Sequence, residues 1–159
     1  MYRKLLLLLI PLVALFGCKS APDPIPDDVT PAVLLQMAQA SILKDNNNDN
    51  AVYYYTEFLN RFPDETQKVV EAEYEIAFIH YKEKDYDTSK KLFEEIVAKY
   101  QGPNGDLLPR WPLVLTNKIL PEVNRIIEER DARLAEKIAK KEAKEKAKQE
   151  KKAAAEDEE

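Results

Sequence analysis

Among the side chains able to act as nucleophile, metal ligand or proton carrier, two occur once each in the 159 residues: Cys18 and His80. A thiol attacks only as the thiolate, and a thiol–imidazole pair needs a third group to orient the base. His80 lies inside the aromatic stretch Tyr74–Tyr81, and Cys18 directly follows the apolar run 5–16. No G-x-S-x-G elbow, P-loop or metal-ligand cluster accompanies them, and the chain has only three glycines with which to cradle a phosphate. Asp and Glu are plentiful, 29 in all, and those in the helices lie on solvated faces. These residues predict no catalytic site, no metal, no cofactor and no small-molecule substrate. A single cysteine also forms no intramolecular disulfide. The chemistry left to Cys18 is modification.

What precedes Cys18 indicates which modification. Arg3 and Lys4 lead into twelve uncharged residues, 5–16. As a helix these span about 18 Å, against roughly 30 Å of bilayer hydrocarbon. Pro11 interrupts the run as well. The segment therefore reads as a signal peptide, residues 1–17. Leu15-Phe16-Gly17-Cys18 resembles the lipobox of bacterial lipoproteins. Its thiol takes the diacylglycerol, and the small residue before it lets the peptidase reach the bond. Phe16 departs from the usual small residue two before the cysteine, which resembles the looser lipoboxes of spirochaetes and some other groups. The resemblance implies lipidation at Cys18 and a membrane partner engaged through the lipid anchor. A diacylglycerol plus an N-acyl chain exceeds the two-signal threshold for stable anchoring. Lys19-Ser20 follow, with no Asp at the second position, which resembles the outer-membrane default of enterobacteria. The expected location is the cell envelope, on the outer membrane facing the periplasm. Residues 18–30 then form the lipidated cysteine and a tether, where Pro22, Pro24 and Pro26 favour an extended, semi-rigid spacer.

Beyond the tether the apolar spacing is helical. Thr30-Pro31 is a strong helix start, an N-cap followed by proline at the first helical position. Leu34, Leu35, Ala38, Ile42 and Leu43 give one apolar face. The polar run Asp45–Asn50 breaks that helix and caps a second, from about Ala51 to Phe62, with Ala51, Tyr55, Phe58, Leu59 and Phe62 inward. Tyr53, Tyr54 and Tyr55 cannot all be buried, so Tyr55 is assigned to the core and Tyr53 to solvent. Pro63-Asp64 stops the second helix, with Asp64 as the expected cap of a third. Lys84–Asp87 turns into a fourth, which ends at Gly102-Pro103-Asn104-Gly105. No alternating strand pattern of useful length appears.

The two helix pairs resemble each other. Ala51, Tyr55, Phe58 and Pro63 match Ser89, Phe93, Ile96 and Gln101 at a constant offset of 38. In the second pair, Ala72, Tyr74, Ile76, Ala77, Tyr81, Lys84, Asp85, Tyr86, Ser89, Phe93 and Ile96 fall at the spacing of the tetratricopeptide repeat (TPR), which the segment resembles. Ser89 stands for the usual alanine and Lys84 for the usual glycine. The long offset and the Phe62-Pro63 ending resemble the BamD-like and YbgF-like TPR lipoproteins of the cell envelope. BamD-like proteins carry about five repeats, so the resemblance is to a piece of that architecture. It implies an all-α fold: a short TPR-type solenoid of about two repeats plus a capping helix, over 31–127. The apolar stretch 107–127 supplies the cap, with Trp111 as an anchor.

Residues 128–159 form a long charged helical tail, with ten Lys/Arg and seven Asp/Glu in 128–152. The net charge of −5 makes nucleic acid an unsuitable partner. Binding a protein is what the repeat implies, on the face lined by the first helix of each pair. Position by position that face receives Gln36, Ala40, Leu43 and Lys44 from the first repeat, and Glu71, Tyr74, Phe78, Tyr81 and Lys82 from the second. Tyr74 and Tyr81 are assigned to packing, leaving Gln36, Lys44, Glu71, Phe78 and Lys82 as the partner-binding set. The expected function is a protein–protein scaffold of the envelope, with β-barrel assembly components as the implied partner. The alternative is a structural lipoprotein that spaces or braces the envelope through its charged helix.

Overall fold

A computed structural model describes residues 21–156 of the chain, with side chains as far as Gln149. The expected signal peptide and Cys18 lie outside the described residues. Five α-helices follow one another: α1 (Pro31–Leu43), α2 (Asn48–Arg61), α3 (Thr66–Lys82), α4 (Tyr86–Tyr100) and α5 (Arg110–Glu156). A single 3₁₀ turn, Gly105–Leu107, precedes α5. Each helix packs on the next in order, and α5 also touches α3. The fold is an all-helical TPR solenoid with a long C-terminal helix.

Short polar side chains set three of the helix starts. Thr30 accepts from the Val33 N–H at 3.4 Å, with Pro31 at the first helical position. Asn47 accepts from the Asn50 N–H at 3.2 Å, and Asp85 from the Thr88 N–H at 3.3 Å. Each bond satisfies one of the N–H groups a helix start leaves open. Asp64 does not cap α3. The helix begins two residues later, Glu65 holds the cap position, and no side chain bonds there.

The core has two parts. Leu34, Ala38, Ala51, Tyr54, Tyr55 and Phe58 meet Ala72, Ile76 and Ile79 from the other side of α2. Val70, Tyr74, Ala77, Phe93 and Ile96 form the second cluster, with Leu115, Ile119 and Leu120 of α5 laid against it. Burying a residue such as Phe58 or Phe93 contributes about 1.5–3 kcal/mol relative to leaving it in water. The 38-residue offset holds at both levels: Ala51, Tyr55 and Phe58 are buried, and so are Ser89, Phe93 and Ile96. Ala77 lets α4 cross so closely that the Ser89 hydroxyl donates to its carbonyl at 3.1 Å.

Three expectations change. Leu43, read as part of an apolar face, is 83% exposed, because Ser41 and Ala38 occupy the inward side near the end of α1. The stretch before α1 does not stand clear of the domain: Val29 is buried, Ile25 packs on the first cluster, and the Tyr54 hydroxyl donates to the Asp23 carbonyl at 3.2 Å. Finally, the capping helix and the charged tail are one helix. Pro112 lies in its first turn, where its missing N–H costs nothing, and the helix continues past Pro121.

Candidate functional site

α3 is gripped on two sides. Ala72, Ile76 and Ile79 face the first cluster, and Val70, Tyr74 and Ala77 face the second. With 3.6 residues per turn this leaves a third side, on which Glu71, Glu75, Phe78 and Lys82 follow one another in steps of four, three and four. Glu71 is held at one end. The Lys68 ammonium donates to it at 2.7 Å and the Trp111 indole N–H at 3.2 Å, so the start of α5 is tied to this row.

Rings connect the row to the core. Trp111 meets Tyr74 edge-on at 5.1 Å, Tyr74 stacks on Phe78 at 5.9 Å, and Phe78 stacks on Tyr81 at 5.9 Å. Such pairs add about 0.5–1.5 kcal/mol each beyond the area they bury. Phe78 is thus both half-exposed and a packing residue of the second cluster. Burial, and then the neighbouring Glu71, pushes the Glu75 carboxyl above the usual carboxylate range. Burial also pushes the Tyr74 phenol up to about 12, with Glu75 adding to it. The row runs from carboxylates, through aromatic surface, to the exposed Lys82.

The structure brings Glu71, Phe78 and Lys82 onto one face of α3. Gln36 and Lys44 are exposed residues of the first repeat. Lys44 lies just past α1, as its C-cap. The reason is a turn one residue longer in the first repeat. Leu43 and Lys82 end the two first helices, 39 apart, whereas the caps Asn47 and Asp85 are 38 apart. Corrected for that residue, Gln36 corresponds to Glu75, and the exposed Leu43 to Lys82. Glu75 was missing from the sequence-derived set, because the repeat pattern supplies its neighbour Tyr74 at that turn of the helix. Trp111 was read as an anchor of the cap. It is 38% exposed and bonded to Glu71, so it belongs to the rim of this face. His80 has a local role, with Nδ1 3.2 Å from the carboxylate of the capping Asp85.

Among the described residues no group of His, Cys, Asp and Glu could hold a metal ion, and no helix is long and apolar enough to cross a membrane. The tetratricopeptide repeat model matches residues 32–65 and 71–102, the two helix pairs. The chain is also similar to an uncharacterized protein of Treponema pallidum (strain Nichols), at 31% identity over 116 residues. That alignment covers 69% of this chain and 46% of the relative, so the chain spans less than half the relative's length. No solved structure matches the chain. The chain therefore carries TPR repeats, a generally non-catalytic scaffold that commonly binds protein partners.

Proposed function

We propose that this chain is a lipid-anchored protein–protein scaffold of the cell envelope, and that the open face of α3 with the start of α5 takes a segment of its partner. The observation that carries the reading is the row Glu71, Glu75, Phe78, Lys82, with Trp111 at one end. A row with carboxylates at one end, rings in the middle and a cation at the other fits a segment of opposite polarity. That segment has a basic residue at the Glu71 end and an acidic one beside Lys82. Its apolar side chain rests on Phe78 and Trp111, since binding energy concentrates on aromatic surface of this kind. Anchoring is supported by the lipobox-like Leu15–Cys18. Cys18 precedes Asp23 by five residues, a reach of at most about 18 Å, so a lipid there holds the repeats near the bilayer. The resemblance to BamD-like lipoproteins makes the partner a component of outer-membrane β-barrel assembly.

A second reading has its own observation. α5 continues for 29 residues beyond Ile127, which suits a brace that reaches across the envelope. A crosslinked pull-down of the full chain separates the two. Phe78→Ala is a poor probe, because it removes ring packing on Tyr74 and Tyr81. The charge reversals Glu75→Lys and Lys82→Glu leave those rings in place. Loss of barrel-assembly partners in the reversed protein supports the groove. Partners that survive reversal and vanish on truncation after Ile127 replace it with the brace.

A further inference from the structure

Along one side of α5 the character of the surface changes abruptly. Pro112, Thr116, Ile119, Val123 and Ile126 recur in steps of four and three and are buried or half-buried. The same steps continue through Arg130, Arg133, Lys137, Lys140, Lys144 and Lys148, all exposed. Arg130 still reaches the repeats: its guanidinium donates to Asp87, with Nη2 3.0 Å from the carboxylate. With 3.6 residues per turn, Lys137, Lys140, Lys141, Lys144 and Lys148 fall within an arc of about 100°, while Glu142 and Lys146 lie opposite. The stripe is about 17 Å long.

We propose that this lysine stripe is a contact for an anionic phospholipid surface, independent of any acyl group on Cys18. Three observations favour that occupant. Residues 137–148 hold six lysines and two glutamates, whereas residues 21–127 hold eleven cations against eighteen acids, so positive charge is concentrated on the arm. Lys137 lies about 10 Å along the helix from Arg130 and Lys148 about 27 Å, beyond the roughly 8 Å screening length of physiological salt. The acidic repeats therefore do not cancel the stripe. Every cation in it is Lys, a hydrated point charge suited to a diffuse field of phosphates; the planar fork of Arg, suited to one carboxylate, is absent. Between the lysines stand Ile138, Ala139, Ala143 and Ala147, with no aromatic anchor of the kind a protein interface is built on. The exposed pairs Lys140–Glu136 and Lys141–Glu145 are too weak to occupy the stripe. A second copy is disfavoured, because the two stripes would face each other with like charge.

The test uses the full chain made in a membrane-free translation system, so that Cys18 carries no acyl group. Co-sedimentation is measured with phosphatidylcholine vesicles and with vesicles containing about a third phosphatidylglycerol. Each lysine near such a surface contributes about fivefold in partitioning at low salt. Lys140→Gln/Lys144→Gln/Lys148→Gln should therefore lose roughly a hundredfold of the preference for anionic vesicles, with helix content by circular dichroism unchanged. The wild-type preference should collapse at high salt. Equal binding of wild type and variant to anionic vesicles overturns the proposal, since the leader common to both would then account for it. So does an acidic protein that binds the wild type in solution and not the variant, when vesicles show no preference.

Discussion

Replacing Lys84 by glycine should make the protein more stable, although it deletes a charged side chain and shortens no loop. α3 ends at Lys82 with Glu83 as C-cap, and Lys84 follows at φ 66°, in the left-handed region. Two bonds close the turn: the Asp85 N–H reaches the His80 carbonyl at 2.9 Å, and the Lys84 N–H reaches Tyr81 at 3.0 Å. This is the Schellman arrangement, in which the residue after the cap must be left-handed and glycine is preferred. For a residue with a Cβ that conformation costs about 1–2 kcal/mol. Glycine removes the cost and returns part of it through the greater freedom of the unfolded chain, about 0.4–1 kcal/mol. The expected net gain is about 0.5–1 kcal/mol. At about 4–8 °C per kcal/mol for a domain of this size, Tm should rise by roughly 2–8 °C. Thermal melts of Lys84→Gly and Lys84→Ala alongside wild type make the comparison. Alanine carries the same backbone cost as lysine and should leave Tm nearly unchanged. A Lys84→Gly protein no more stable than Lys84→Ala would refute the reasoning, because the strain would then not be at this residue.

Two other positions give opposite expectations. A Cβ on Gly105 would lie 2.1 Å from the Tyr100 carbonyl oxygen and 2.5 Å from its carbon, both backbone atoms, so Gly105→Ala should cost about 1–3 kcal/mol by chemical denaturation. Gly102→Ala, whose Cβ meets one carbonyl at 3.2 Å, serves as its milder control. Glu75 has a folded-state pKa raised by burial, so the folded chain binds its proton more tightly than the unfolded chain does. Its protonated form favours folding, and that contribution is present below the unfolded pKa and lost as pH rises through the folded one. Glu75→Gln should therefore stabilise the protein at pH 7, and the advantage should shrink on acidification. A Glu75→Gln advantage that is flat from pH 7 down to pH 4 would show that the carboxylate is not desolvated.

Much of this fold could be read from the sequence because the repeat states the same instruction twice. Ala51/Ser89, Tyr55/Phe93 and Phe58/Ile96 share a spacing, and a spacing that recurs fixes which side of each second helix is inward. The first helices were harder. Their register depends on the length of one turn, Leu43 to Asn47 against Lys82 to Asp85, and periodicity does not count turn residues. That single residue moved Lys44 off the helix. Tyr54 shows a different limit. Its position, three after Ala51 and four before Phe58, puts it at the edge of the inward face, but its hydroxyl bonds to the segment around Asp23, which proline content assigned to solvent. Trp111 is similar, since its bond to Glu71 joins residues 40 apart in sequence.

The two halves of α5 follow from one change in side-chain type. A helix end needs something to bury if it is to stay packed, and most helical stability comes from an apolar face against a neighbour. Up to Ile126 that face is present, and the helix lies on α4 and α3. Beyond Arg130, which pairs with Asp87, the same line stays cationic, so continued packing would strip water from charged groups. The helix leaves the repeats where its inward line stops being apolar. Leu134 and Ile138, 54% and 49% exposed, are too few and too far to one side to bring it back. What remains is sustained by exposed pairs of the Glu136–Lys140 kind, each contributing about 0.2–0.5 kcal/mol. Such a helix is marginal on its own, and an anionic surface along its lysine side would stabilise it. Binding and helicity of residues 137–148 should thus rise together.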